Sequence, residues 1–276
     1  MVKEPSSIRP LHRILLYPRS LPPHYIPAAF SQGLSAGPFP MESSLHRQLK
    51  EWYAPEADGR EVRLHGYRID AIVEGHLIEI QQSSLGALRR KVARLLETHA
   101  VRVVKPLAVS KSIALWDGRQ KTLLSSRQSP KHEHPWSLFE DLVHFVSVFP
   151  HPRLEIDIVL TTQREDRIRK PPRRWKGKDY RVLDRHLVEV VGRVTLRTAH
   201  DLWSLLPGME QAADCEFTTG DLARISGLPR WIAQKAAYCL RTTGAAEVLG
   251  RTRSGIRYRA LPPPRLARKP SRRKAA

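Results

Sequence analysis

Tyr67-Arg68-Ile69-Asp70-Ala71-Ile72-Val73-Glu74-Gly75-His76-Leu77-Ile78-Glu79-Ile80-Gln81 is the stretch whose reading decides the fold. Polar and apolar residues alternate on both sides of Glu74-Gly75. That pattern predicts two strands, 67–73 and 76–81, around a tight turn. Centring the turn on Glu74-Gly75 pairs Val73 with His76, Asp70 with Glu79, and Arg68 with Gln81. Strand side chains alternate, so Arg68, Asp70, Glu79 and Gln81 share one face. Ile69, Ala71, Ile78 and Ile80 take the other, against the core. Directly opposed Cβ atoms lie roughly 4.5–5.5 Å apart, and like charges facing each other destabilise the pair. A divalent cation offsets that repulsion, and oxygen ligands suit Mg2+ or Mn2+. The alternative is the solvated polar face of an ordinary hairpin.

Upstream, Leu45, Leu49 and Trp52 with Tyr53 recur at helical spacing, and ordered structure is expected from Met41. Glu42 lies on the same helical line, so its carboxylate is placed to look toward the sheet. An acid in a first turn also simply complements the helix dipole. Glu51 falls about half a turn round and faces solvent. His46, one turn after Glu42, is a further candidate or a surface histidine. Downstream, Ser83 or Ser84 caps a helix with Leu85, Leu88, Val92, Leu95 and Leu96 on one face. Strands are expected at 101–109, 113–116 and 154–160, and a helix at 136–148. The alternation predicts an α/β domain over residues 41–160. Glu155 and Asp157 share a strand face and read as solvent-facing. His132 and His134 read as loop residues, without a third ligand.

The pattern Asp70…Glu79-x-Gln81, with Ser83, a basic helix after it and a helical Glu before it, resembles the PD-(D/E)xK nuclease superfamily. The Glu-Ile-Gln-x-Ser form and the segment Ser44-Leu45-His46-Arg47-Gln48-Leu49-Lys50 are similar to its competence-protein CoiA branch. The resemblance covers about residues 41–110. It implies a restriction-endonuclease-like mixed sheet with flanking helices. It also implies magnesium held by Asp70 and Glu79, with Glu42 as a third ligand. Gln81 stands where most members carry Lys. An amide orients water but neither takes a proton nor carries charge, so metal activation would bear more of the chemistry. Lys91 on the next helix is the candidate replacement, with Arg89, Arg90 and Arg94 as phosphate contacts or as a solvated basic face.

Residues 186–261 read as a second unit, resembling a winged helix. Residues 200–206 supply a first helix. Thr218 or Thr219 caps a helix over 221–226, Gly227-Leu228-Pro229 turns, and a helix follows over 230–242. That helix turns Ile232, Ala236, Cys239 and Leu240 to the core and ends at Gly244. A hairpin, 245–249 and 256–261, carries a basic tip. Arg230, Trp231, Gln234, Lys235 and Arg241 are then candidate major-groove contacts, and Arg251, Arg253 and Arg257 candidate wing contacts. The alternative use of such a unit is packing or protein contact. Residues 1–40 read as a flexible arm, 161–185 as a basic linker and 262–276 as a disordered basic tail.

The formal net charge of +20 favours polyanionic partners, because each neutralised phosphate releases counterions. No apolar run approaches the roughly 20 residues that span a bilayer. Cys215 and Cys239 form no CxxC pair, which argues against zinc fingers and disulfide scaffolds and for a cytoplasmic protein. The expected function is Mg2+-dependent hydrolysis of DNA phosphodiesters. The alternatives are a DNA-binding regulator with a degenerate nuclease domain and, with less support, an RNA-binding protein.

Overall fold

The computed structural model describes residues 42–120, 122–170, 179–253 and 255–263. The expected arm at 1–40 and the tail beyond 263 lie outside them. The first helix, α1 (Ser44–Tyr53), is capped by Ser43, whose Oγ accepts the His46 N–H at 3.3 Å. Glu42 therefore precedes the cap and is not part of the first turn, which corrects its expected helical placement. Leu45, Leu49 and Tyr53 recur every four residues and bury against Ala71, Ile78, Ile80, Val104, Val159 and Leu187. Each fully buried leucine contributes about 2 kcal/mol of transfer free energy.

Three antiparallel strands follow, β1 (Arg60–Leu64), β2 (Tyr67–Val73) and β3 (His76–Ile80). The β2–β3 register pairs Val73 with His76 and Ala71 with Ile78, as the alternation predicts. Glu74 and Gly75 both adopt positive φ, 50° and 76°, which the tight turn requires and Gly tolerates without cost. A short 3-10 turn and α2 (Arg89–Leu95) lead to β4 (Ala100–Trp116). Val101, Val103, Val104 and Leu107 of β4 are buried, as befits a strand between two parallel neighbours. β4 is one strand of 17 residues where two were expected, and β5 (Leu123–Gln128) pairs with its far end. The helix expected at 136–148 is reduced to a 3-10 turn and α3 (Phe139–Leu142).

β6 (Leu154–Arg169) runs parallel to β4, and β7 (Tyr180–Leu196) runs antiparallel to β6. The seven-stranded mixed sheet has the order β1-β2-β3-β4-β6-β7, with β5 on β4. The expected linker at 161–185 is thus sheet through Arg169 and again from Tyr180, and residues 171–178 lie outside the described ones. Two of its acids are buried and paired. Buried Glu165 meets Arg167 at 2.7 Å, Arg185 at 3.1 Å and Lys111 at 3.5 Å, while buried Asp166 meets His186 at 2.9 Å. Asp157, expected at the surface, is fully buried. It accepts from Tyr53 Oη at 2.9 Å and from Thr195 Oγ1 at 2.5 Å. Glu155 is largely covered too, held by Arg102 and Arg197 at 2.7 Å each. Along the outer edge of β7, the Gln48 side-chain amide accepts the Leu187 N–H at 2.8 Å and donates to the Leu187 carbonyl at 3.5 Å.

The chain divides between Arg197 and Thr198, not at 185/186. The second unit begins with a 3-10 helix, Ala199–Leu205, and β8 (Glu216–Thr218). Then come α4 (Thr219–Ser226), α5 (Arg230–Thr243), β9 (Ala246–Thr252) and β10 (Gly255–Ala260). Its sheet order is β8-β10-β9. Thr218 and Asp221 form a reciprocal cap on α4, and Gly227 and Gly244 close α4 and α5 in the left-handed region. In its core Phe217 stacks on Tyr258 and meets Trp203 edge-to-face. Among the described residues no helix is long and apolar enough to cross a membrane.

Candidate active site

The paired register of β2 and β3 ends at Ala71 and Ile78, one step before Asp70 and Glu79. Beyond that point the Ile80 N–H is free of β2, and Asp70 Oδ2 accepts it at 2.8 Å. The other oxygen, Oδ1, lies 3.1 Å from His46 Nε2 of α1. Burial alone would raise the Asp70 pKa, but the hydrogen bond and charge of His46, with the Ile80 N–H, bring it below the usual carboxylate range. Glu79 is 3% exposed, and its Oε1 stands 2.6 Å from Lys91 Nζ of α2. That Oε1 makes an ion pair without an aligned hydrogen bond, and the ammonium also donates to the Arg68 carbonyl at 2.6 Å. Burial pushes the Glu79 carboxyl up to about 7; Lys91 opposes the rise and the Asp70 charge adds to it. The two strand acids therefore have unequal proton affinities, each set by its own surroundings.

Glu42 is held elsewhere. Lys50 Nζ of α1 lies 2.7 Å from its Oε1 and 2.8 Å from its Oε2. Glu42 Oε1 is also 3.6 Å from His46 Nε2, so His46 bridges Glu42 and Asp70. Lys50, buried despite its charge, binds Glu61 at 2.6 Å, and Glu61 binds Arg68 at 2.6 Å. Sequence reading missed Lys50; the only signal was its place on the same helix as Leu45 and Leu49. It also missed Lys105, whose buried Nζ binds Asp141 and the Ser83 carbonyl at 2.6 Å each. That pair pins the turn after β3.

Gln81 donates to the Ser84 carbonyl at 2.8 Å, and Gln82 donates to Ser43 Oγ at 2.6 Å. Both line a cleft of about 660 Å³ with Glu42, Ser43, His46, Ser83 and Arg185. Of the expected site residues, Glu42 and Gln81 reach the cleft, and His46 connects it to Asp70. Arg89, Arg90 and Arg94 are exposed on α2, with Arg94 paired to Glu97 at 2.7 Å. Each of the three expected metal ligands already has a partner: Lys50 for Glu42, Lys91 for Glu79, and His46 with the Ile80 N–H for Asp70. Among the described residues no three His, Cys, Asp or Glu side chains converge to hold a metal ion.

Residues 43–197, more than half of the chain, match the family described as "Domain of unknown function (DUF8091)". The chain belongs to this family. The DUF8091 match ends where the first unit ends, at Arg197, so it includes the strands β6 and β7. An uncharacterized protein of Treponema pallidum (strain Nichols) is 30% identical over 173 residues, covering 60% of this chain and 68% of the relative. No solved structure matches. The DUF8091 region thus carries Asp70, Glu79, His46, Lys50 and Lys91, and Glu42 stands one residue before it. The remaining expected contacts lie beyond it, in the second unit. There Arg230, Gln234, Arg251, Arg253 and Arg257 are exposed, and Lys235 is half-buried against Trp231. Arg257 lies 3.6 Å from Glu216.

Proposed function

We propose that the chain is a Mg2+- or Mn2+-dependent DNA nuclease of the PD-(D/E)xK kind, with the second unit as a winged-helix grip on nucleic acid. The observation that carries the reading is the meeting of Asp70, Glu79 and Lys91 where the β2–β3 ladder ends. Lys91 Nζ, 2.6 Å from Glu79, is the charge that Gln81 does not supply. A mixed sheet with flanking helices is the architecture the resemblance implies. The order helix, strand, two helices and hairpin, with β8-β10-β9 pairing, supports the winged-helix part.

The donors fit a hard divalent cation. Asp70 and Glu79 present oxygens, and Glu79 Oε1 is buried without an aligned hydrogen bond. Bound there, such an ion would polarise a phosphoryl oxygen and lower the pKa of a water. The chain's own groups do the rest. Lys91 holds positive charge beside the two acids, where a scissile phosphate gains negative charge. His46 fixes the orientation of Asp70. Gln81 offers the cleft an amide that aligns water or substrate without exchanging a proton. Arg89, Arg90 and Arg94 provide exposed phosphate contacts on α2.

The test is cleavage of single-stranded, duplex and branched DNA with Mg2+ or Mn2+. Asp70→Ala or Glu79→Ala is expected to lower cleavage at least a hundredfold and leave DNA binding within about twofold, because most phosphate affinity comes from Lys and Arg. One observation favours a second reading, a DNA-binding regulator without activity: Lys50 and Lys91 already pair with Glu42 and Glu79, and His46 already contacts Asp70. A folded protein that binds DNA but neither binds these cations nor cuts any DNA form would establish that reading.

A further inference from the structure

Several large apolar side chains of the second unit stay exposed, among them Trp231 at 48% and Tyr238 at 41%. Both belong to α5. Its inner face is complete without them: Ile232, Ala233, Ala236, Ala237, Cys239 and Leu240 are buried. On the outer face Trp231, Gln234, Tyr238 and Arg241 follow at spacings of three and four residues, which aligns them in one stripe. A cation stands over each ring. Lys235 Nζ is 5.1 Å from the Trp231 ring centroid, and the Arg241 guanidinium is 5.7 Å from that of Tyr238. Residues 230–243 contain no Asp or Glu. Two large rings exposed on one helix face suit an interaction surface, and the absence of acids on this helix makes the complementary partner an anion.

We propose that this stripe binds single-stranded nucleic acid, DNA or RNA, with unpaired bases stacked on Trp231 and Tyr238 and phosphates met by Arg230, Lys235 and Arg241. The inference rests on the nucleic-acid part of the reading above and is independent of cleavage. Duplex readers address base edges with hydrogen-bonding side chains. Here two large aromatic rings face outward, and an aromatic ring needs the flat face of a base. In a duplex those faces are covered by their neighbours; in a single strand they are open. Seven residues separate the rings, about 10 Å along the helix axis and close to two full turns, so both rings point the same way. That distance accommodates consecutive bases stacked at about 3.4 Å per step. Stacking on exposed aromatics with cations on the backbone is how sequence-tolerant single-strand binding is built.

The experiment titrates the full chain, in chelator, with labelled oligo-dT, oligo-rU, an abasic strand of equal length and a duplex of equal charge. The wild type is expected to bind oligo-dT or oligo-rU at least tenfold more tightly than the abasic strand. Trp231→Ala and Tyr238→Ala are each expected to weaken the oligo-dT or oligo-rU complex by about tenfold or more, while abasic and duplex binding stay within twofold. Unchanged thermal melts certify the fold, since neither ring is part of the core. Equal binding of abasic and base-bearing strands, or tighter binding of duplex, overturns the stacking proposal while leaving the nucleic-acid reading standing. Failure to bind any of the four at low salt overturns both. Self-association that the two substitutions abolish, without any effect on strand binding, would make the stripe a protein interface and overturn the proposal.

Discussion

Glu79 is the residue at which burial and charge pairing compete most directly. Its carboxyl titrates near 7 in the fold, against 4.5 for the free side chain. The folded state therefore binds this proton more tightly than the unfolded chain does. Stability from this group is complete below about pH 4.5 and is lost as pH rises through about 7. In chelator, Glu79→Gln is expected to melt a few degrees above the wild type at pH 8. The two melting temperatures should converge near pH 5. A wild type that melts higher than the variant at pH 8 would mean that the Lys91 pairing outweighs the cost of burial. Lys50 shows the opposite balance. Two carboxylates hold its ammonium, and they keep its pKa raised despite burial. Lys50→Ala leaves Glu42 and Glu61 without that cation and opens space beside α1. The expected loss is about 3 kcal/mol in denaturant unfolding.

At the scale of elements, the parts with a strong period were legible and the charged ones were not. The alternation through Ile69, Ala71, Ile78 and Ile80 fixes the hairpin register, and the spacing of Leu45 and Leu49 fixes α1. The 3.6-residue period and Gly244 likewise delimit α5. Residues 161–169 defeated the same logic because a strand stabilised by cross-strand ion pairs carries no apolar rhythm. Arg164, Glu165, Asp166 and Arg167 read as part of a basic linker until Arg185 and His186 are placed opposite them. Within the site, Asp70, Glu79 and Lys91 were legible from pattern and resemblance. Lys50 was not, because a lysine on a helix beside leucines normally keeps its charge in water. The Glu165 cluster gives a test of the element. Glu165→Gln leaves Arg167, Arg185 and Lys111 crowded around a neutral amide. It is expected to cost about 2–4 kcal/mol, with hydrogen-exchange protection lost first at 163–168. A change below 0.5 kcal/mol would show that the pairing contributes little to the β6–β7 ladder.

For the whole molecule, the break at Arg197/Thr198 predicts how the chain can be divided. A fragment covering 42–197 keeps every described strand of the large sheet, and one covering 198–263 keeps β8, β10 and β9 together. Both are expected to fold, each with its own melting transition. Ending the first fragment at 185 removes most of β7, including buried Leu187 and Leu196. That shorter fragment is expected to be insoluble or unfolded by circular dichroism. Cooperative folding of the 185 fragment would mean that β7 is dispensable to the sheet.

Gln48 has a meaning beyond local bonding. A long outer strand invites other chains to extend the sheet through its unsatisfied amides and carbonyls. The Gln48 amide occupies one such donor–acceptor pair at Leu187, and the expected consequence is less sheet extension along β7. Gln48→Leu should keep α1 helical, since leucine is an equally good helix former, yet leave the Leu187 amide and carbonyl exposed to an incoming strand. Light scattering at elevated concentration should then rise faster for the variant than for the wild type, while dilute-solution circular dichroism stays the same. Equal scattering would show that a single occupied pair does not limit sheet extension. A colloidal property of the protein would in that case lie elsewhere on the strand, in the charges of Arg181 and Glu189 that flank it.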